Sequence, residues 1–236
     1  VAMTVVLTGA PCELVLTTAE GQVMTAPMDR ALHLRPGDRL QLEAPARGMR
    51  SYLAVAGGFA LTPTLGSAAT DTLSGLGPAP LVAGSRLALA NQPTGAPRAV
   101  PAPPALPGPE DIVVLDVVMG PRTEMFTPEA VALFTRQSWL VTPASSRTGI
   151  RLSGALPLAR KDSAELPSEG TLRGAIQVPA AGQPVLFLSD HPVTGGYPVI
   201  ASVAPWHLDL AGQIPPGAQL RFRPHAPFQR LDPECP

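Results

Sequence analysis

Short apolar runs alternate with polar turns along most of the chain, and this period-two pattern predicts strands. Residues 4–8 (TVVLT) and 13–17 (ELVLT), separated by Gly9-Ala10-Pro11, read as the first two. Glu20-Gly21 marks the next turn, and an extended pattern resumes at residues 22–24. In residues 34–42 (LRPGDRLQL) a turn feeds an alternating strand with Leu40 and Leu42 on one face. Residues 50–56 (RSYLAVA) form another strand, closed by Gly57-Gly58. Further on, residues 112–118 (IVVLDVV) are strongly β-branched and run into the turn Met119-Gly-Pro-Arg122. Residues 175–178 and 184–188 flank a turn built from Pro179, Gly182 and Gln183.

One stretch breaks this rhythm. Residues 127–139 (TPEAVALFTRQSW) carry an N-capping threonine, a proline at the first helical position and an acid in the first turn. Ala130, Val131, Leu133 and Phe134 then make an apolar face, so a helix packed on a sheet is expected. A shorter helical turn is expected at residues 206–211. The pattern apolar-x-x-Gly-x-x-Leu-x-apolar occurs three times, around Gly37, Gly84 and Gly217, and suggests a repeated hairpin design. Residues 91–110 (NQPTGAPRAVPAPPALPGPE) have no apolar period and read as an extended linker. The resulting division is a first β domain over residues 1–92, a linker over 93–110, a second β domain over 111–225 and a tail over 226–236.

Composition supports this picture and narrows the partners. A 45% hydrophobic content can build a core, while 30 prolines and 22 glycines supply the many turns of a mainly β chain. The net charge is −1 and the basic residues are scattered, which argues against nucleic acid or an anionic membrane as partner. Lys161 is the single lysine. The cysteines, Cys12 and Cys235, lie near opposite ends and share no metal spacing, so a reducing, cytoplasmic setting is the default expectation. The chain opens directly in an apolar run without an initiating methionine, and the first domain is expected to lack an N-terminal segment.

Several chemistries can be set aside. The sequence holds no phosphate-binding Gly-x-x-x-x-Gly-Lys-Ser/Thr loop, no dinucleotide fingerprint, no Gly-x-Ser-x-Gly elbow and no Cys/His/Asp/Glu set at metal spacing. What stands out is residues 190–197 (DHPVTGGY), where Asp190, His191, Thr194, Gly195, Gly196 and Tyr197 crowd into one loop. Paired glycines allow positive φ or a close approach of backbone to a neighbour. Upstream, Arg147 and Arg151 flank Gly149. Such a pair either clamps an anion or forms salt bridges that orient an acidic loop, through Glu165 or Glu169 for example. Ser168 and Glu169 could cap a strand or bind substrate, and Gln177 could offer its amide to a ligand. For His191 a structural role is the stronger reading, and His33, His207 and His225 stand alone as surface or capping residues.

Taken together, SSRTGIRL (residues 145–152), SEGTLRGAIQVPAAGQPVLFLSDHPVTGGYPVIA (168–201) and RSYLAVAGGF (50–59) resemble the biotin-dependent carboxyltransferase or allophanate hydrolase subunit 2 family. That family includes the C subunit of prokaryotic 5-oxoprolinase, the KipA antagonist of a sporulation kinase inhibitor, and part of urea carboxylase. The resemblance implies two cyclophilin-like β-barrel domains. It implies work alongside the B subunit (KipI-like, itself cyclophilin-like) and the A subunit of 5-oxoprolinase, with ATP bound by or shared with a partner. It also implies that Asp190, Arg151 and Arg147 act in catalysis, with Gln177, Thr194, Gly195, Gly196 and Tyr197 around the substrate, where Ser168 and Glu169 are further candidates from their own residue types. Three functions follow: opening of 5-oxo-L-proline, carboxyl transfer from carboxybiotin to urea, or non-catalytic regulation of a KipI-like partner. Covalent biotin is not expected on this chain, because Lys161 follows Arg160 and not methionine. The sequence departs from the family's pattern in lacking a Gln-Asp-x-Gly-Arg motif, in Ser146 where an acid is common, and in Val199 where a lysine is common.

Overall fold

Alternating burial sorts the apolar runs into strands in a computed structural model, which describes residues 1–90, 95, 104–162 and 166–226. Most of the expected linker, Glu165 and the tail with Cys235 lie outside the described residues. The chain divides into two units, Val1–Ala105 and Leu106–Pro236. In the first, the strands are β1 (Met3–Gly9), β2 (Leu14–Thr17), β3 (Val23–Ala26), β4 (Leu32–Leu34), β5 (Arg39–Leu42) and β6 (Ser51–Val55). They form two antiparallel three-stranded sheets, ordered β4-β1-β6 and β3-β2-β5. Leu7, Leu14 and Ala26 are buried together, with Leu16, Met28 and Leu40 packed around them.

The second unit is built on a closed barrel. Its elements are β7 (Ile112–Met119), α1 (Pro128–Arg136), β8 (Trp139–Val141), β9 (Gly149–Ser153), β10 (Glu169–Gly170), β11 (Ala175–Gln177), β12 (Val185–Phe187), β13 (Thr194–Gly195), β14 (Val199–Val203), α2 (Leu208–Ala211) and β15 (Gln219–Ala226). The barrel runs β11-β12-β9-β8-β15-β7-β14, with β15 and β7 parallel and the other paired neighbours antiparallel. Along β7, Val113, Leu115 and Val117 are buried while Ile112 and Val114 are exposed, as strand alternation requires. The fold is mainly β, with the longer helix where the sequence predicts it.

Helix α1 starts as its sequence dictates. The Thr127 hydroxyl accepts from the Ala130 amide at 3.1 Å, and Pro128 opens the first turn. Phe134 is fully buried and stacks on Phe222 of β15 with ring centroids 4.6 Å apart. The helix stops at Arg136 because Gln137 is extended, so Ser138 and Trp139 lie beyond it. The Trp139 indole then donates to the Phe134 carbonyl at 3.0 Å, satisfying a group that the helix end would leave orphaned. The second helical region is a 3-10 turn, Pro205–His207, running into α2.

The repeated turn motif is only partly a hairpin motif. Gly37, Gly84 and Gly217 all adopt positive φ, at 92°, 83° and 93°. The turns at Gly37 and Gly217 lead into β5 and β15. The segment after Gly84 forms only an isolated bridge, between Leu89 and Phe59. The turn is encoded locally, whereas a strand needs a neighbour to pair with.

Candidate functional site

A two-stranded ladder builds the site. In it β10 pairs with β13, Glu169 opposite Gly195 and Gly170 opposite Thr194, and the Thr171 amide extends the pairing to the Val193 carbonyl at 3.0 Å. The ladder lies over the place where β11 and β14 slip register between Ile176 and Gln177. An irregularity of this kind re-aims a side chain. Gln177 is 6% exposed, and its Nε2 donates to the Tyr197 carbonyl at 2.8 Å.

These residues surround a cavity of about 70 Å³. Glu169, Gln177, Gly195 and Tyr197 line it, as do Pro121, Leu172, Ala175, Val199 and Ser202. Gly195 does not have positive φ; its value is space. A Cβ there would stand 2.6 Å from Gln177 Nε2. Gly196 meets a looser limit, with Leu166 O 3.3 Å from such an atom.

Glu169 is held by an arginine that no sequence motif singles out. Arg122 Nε donates to Glu169 Oε2 at 3.1 Å, and a terminal guanidinium nitrogen donates to Oε1. This hydrogen-bonded carboxylate, offset in part by burial, raises the Arg122 guanidinium further above its ordinary value. Arg122 follows the cis Gly120-Pro121 bond, and its amide donates to the Val199 carbonyl at 3.0 Å. A second arginine, Arg160, donates to the Val178 carbonyl at 2.6 Å, and its guanidinium lies 5.7 Å from the Tyr197 ring centroid. An arginine thus braces each flank of the cavity wall. The only hint of Arg122 in the sequence is its place just after a strand-ending Gly-Pro turn.

The remaining expected residues lie apart from the cavity lining. Arg147 Nε pairs with Asp190 Oδ2 at 3.0 Å, with the Asp190 amide on the Arg147 carbonyl at 3.3 Å. This is the loop-orienting alternative for that arginine, with Asp190 rather than Glu169 as its partner. Arg151 is exposed on β9, where its amide donates to Ser145 Oγ at 3.0 Å. Ser168, just before the ladder, and Thr194, within it, are both exposed. His191 lies against Phe187, ring centroids 6.2 Å apart, with Nδ1 3.1 Å from Thr171 Oγ1. Among the described residues, no group of three or more His, Cys, Asp or Glu could hold a metal ion. No helix among them is long and apolar enough to cross a membrane.

The second unit is thus a closed barrel with a small cavity of mixed apolar and polar lining at a strand irregularity. The sequence matches the family model described as carboxyltransferase domain, subdomain A and B, over residues 1–224, and the chain belongs to that family. It is 36% identical over 219 residues to the C subunit of 5-oxoprolinase from Escherichia coli, covering 92% of this chain and 67% of that protein. It is 34% identical over 220 residues to urea amidolyase of Lachancea kluyveri, covering 83% of this chain but 12% of that far longer protein. The crystal structure of the K. lactis urea amidolyase shares the fold, with a TM-score of 0.82 at 24% identity over 95% of this chain and 14% of that one.

Proposed function

We propose that this chain is the C subunit of an ATP-dependent 5-oxoprolinase, which contributes to the opening of 5-oxo-L-proline to L-glutamate together with the A and B subunits in the cytoplasm. The observation that carries this reading is the 36% identity to the Escherichia coli C subunit across nearly the whole chain. The cavity supports it chemically: about 70 Å³ accommodates a compact amide group or a few waters. In this reading ATP is bound by or shared with a partner protein. The ring carbonyl is activated by phosphoryl transfer there, and this chain holds and orients the lactam.

Reconstitution tests this directly. The chain mixed with the A and B subunits should consume ATP in proportion to the glutamate formed, and only when 5-oxoproline is present. Turnover no greater than that of the two partners alone would refute it. The match to urea amidolyase favours one competing reading, carboxyl transfer to urea. That reading requires a separate biotinylated carrier, because this chain has no Met-Lys acceptor. Carrier- and urea-dependent turnover in place of lactam opening would establish it.

A further inference from the structure

The cavity wall carries a carboxylate whose charge is already answered. Arg122 grips Glu169 through two guanidinium nitrogens, one on each carboxylate oxygen. A fork of this kind fixes the plane of the carboxylate as well as its position, which a lysine ammonium cannot do. The same guanidinium also lies 3.7 Å from a Glu124 carboxylate oxygen, so two carboxylates share it and the cavity offers no bare cation to a carboxylate ligand. Each carboxylate oxygen nevertheless keeps lone-pair capacity for a further donor. Gln177 spends one Nε2 hydrogen on the Tyr197 carbonyl and brings a further donor and an acceptor to the lining. Pro121, Leu172, Ala175 and Val199 supply the apolar remainder. A small, partly apolar space with a carboxylate acceptor in its wall suits a compact group that brings its own N–H.

We propose that this cavity is a subsite for the N–H edge of a small neutral amide or lactam, received by Glu169, and that Arg122 is the positioning residue that sets the Glu169 carboxylate. The proposal rests on the amide-substrate reading above and deepens it. The lactam end of a substrate enters here, and a carboxylate substituent stays outside. Arg122 touches no substrate; it acts through Glu169.

The test uses the full chain and saturation-transfer NMR titrations with pyrrolidin-2-one and γ-butyrolactone, in which a ring oxygen replaces the N–H at nearly the same size. Pyrrolidin-2-one should bind, and the lactone should bind about tenfold more weakly or worse, because its ring oxygen faces the Glu169 carboxylate with no hydrogen to give. Glu169→Ala should abolish that discrimination. Arg122→Ala should shrink it to within about twofold, and Arg122→Lys should restore part of it. A purely structural role for Arg122 would weaken both ligands equally and leave their ratio unchanged. The proposal is overturned if wild type binds neither ligand, binds both equally, or keeps its discrimination in Glu169→Ala. Should Arg122→Ala fail to fold by circular dichroism, the wild-type ratio and the Glu169 variant still decide. A reconstituted complex without 5-oxoproline turnover, alongside intact discrimination by the chain, would remove the proposed function and leave the subsite standing.

Discussion

Asp116 points outward from β7, yet it is only 7% exposed, because residues far along the chain cover it. Arg223 Nε donates to its Oδ1 at 2.6 Å and the Trp206 indole to its Oδ2 at 3.2 Å, while its own amide donates to His207 Nδ1 at 2.9 Å. The hydrogen bond from Arg223 leads in holding the Asp116 carboxyl down, from 3.8 to about 2, against the opposing effect of burial. A carboxyl lowered on folding stabilises the native state above its unfolded pKa, and that contribution fades as the pH falls from 3.8 through about 2. Asp116→Asn should therefore lower the melting temperature by a few degrees near neutrality, and the gap from wild type should close as the pH approaches about 2 in calorimetry. Gly195→Ala makes a second expectation at this scale. Its Cβ would push the nearly buried Gln177 amide off the Tyr197 carbonyl, so lactam binding should fall about tenfold and the melting temperature by a few degrees. Gly195, Glu169 and Gln177 were legible in the sequence because they sit in one unusual loop and its neighbouring strands. Arg122 and the Asp116 cluster were not, since their partners stand 47 to 107 residues away and only the closed barrel brings them together.

At the scale of elements, local chemistry was the better guide. Helix α1 was readable from Thr127, Pro128 and Glu129, because a cap, a fixed φ and a favourable charge act within one turn. The strand after Gly84 was misjudged because the motif encodes only its turn. The turn between β11 and β12 shows how tightly a local signal can be tied to tertiary packing. Gly182 has φ of 73°, and a Cβ there would stand 2.7 Å from Pro157 Cβ and 2.9 Å from the Leu158 backbone. Gly182→Ala should accordingly destabilise the barrel by about 1–3 kcal/mol, combining left-handed strain with a clash against backbone. Urea titration followed by tryptophan fluorescence reads this, since Trp139 is fully buried in the barrel core. An unchanged midpoint would mean that Pro157 and Leu158 move aside without cost.

Across the whole molecule, the two units differ in how much apolar surface they bury. The barrel encloses a continuous core that includes Leu115, Val117, Phe126, Phe134, Trp139, Ile176 and Leu186. The first unit gathers a far smaller cluster around Leu7, Leu14 and Ala26. Beyond β6 it exposes Leu65, Leu73 and Val82, and residues 59–90 are joined by isolated bridges such as Thr64 with Ser67 and Asp71 with Leu76. Opening free energy tracks buried contacts and shielded backbone hydrogen bonds, so local stability should follow this asymmetry. A sequence pattern of apolar runs and turns cannot reveal it, because it marks which residues could be buried but not whether a second layer exists to bury them. Hydrogen exchange read by mass spectrometry should find peptides from residues 59–90 exchanging first and the sheets β4-β1-β6 and β3-β2-β5 next. Peptides covering β7 and β14 should be slowest, with protection at least about a hundredfold greater than residues 59–90, equivalent to roughly 2.7 kcal/mol of extra opening free energy. Equal protection in the two units would show that the small first core is as cooperative as the barrel.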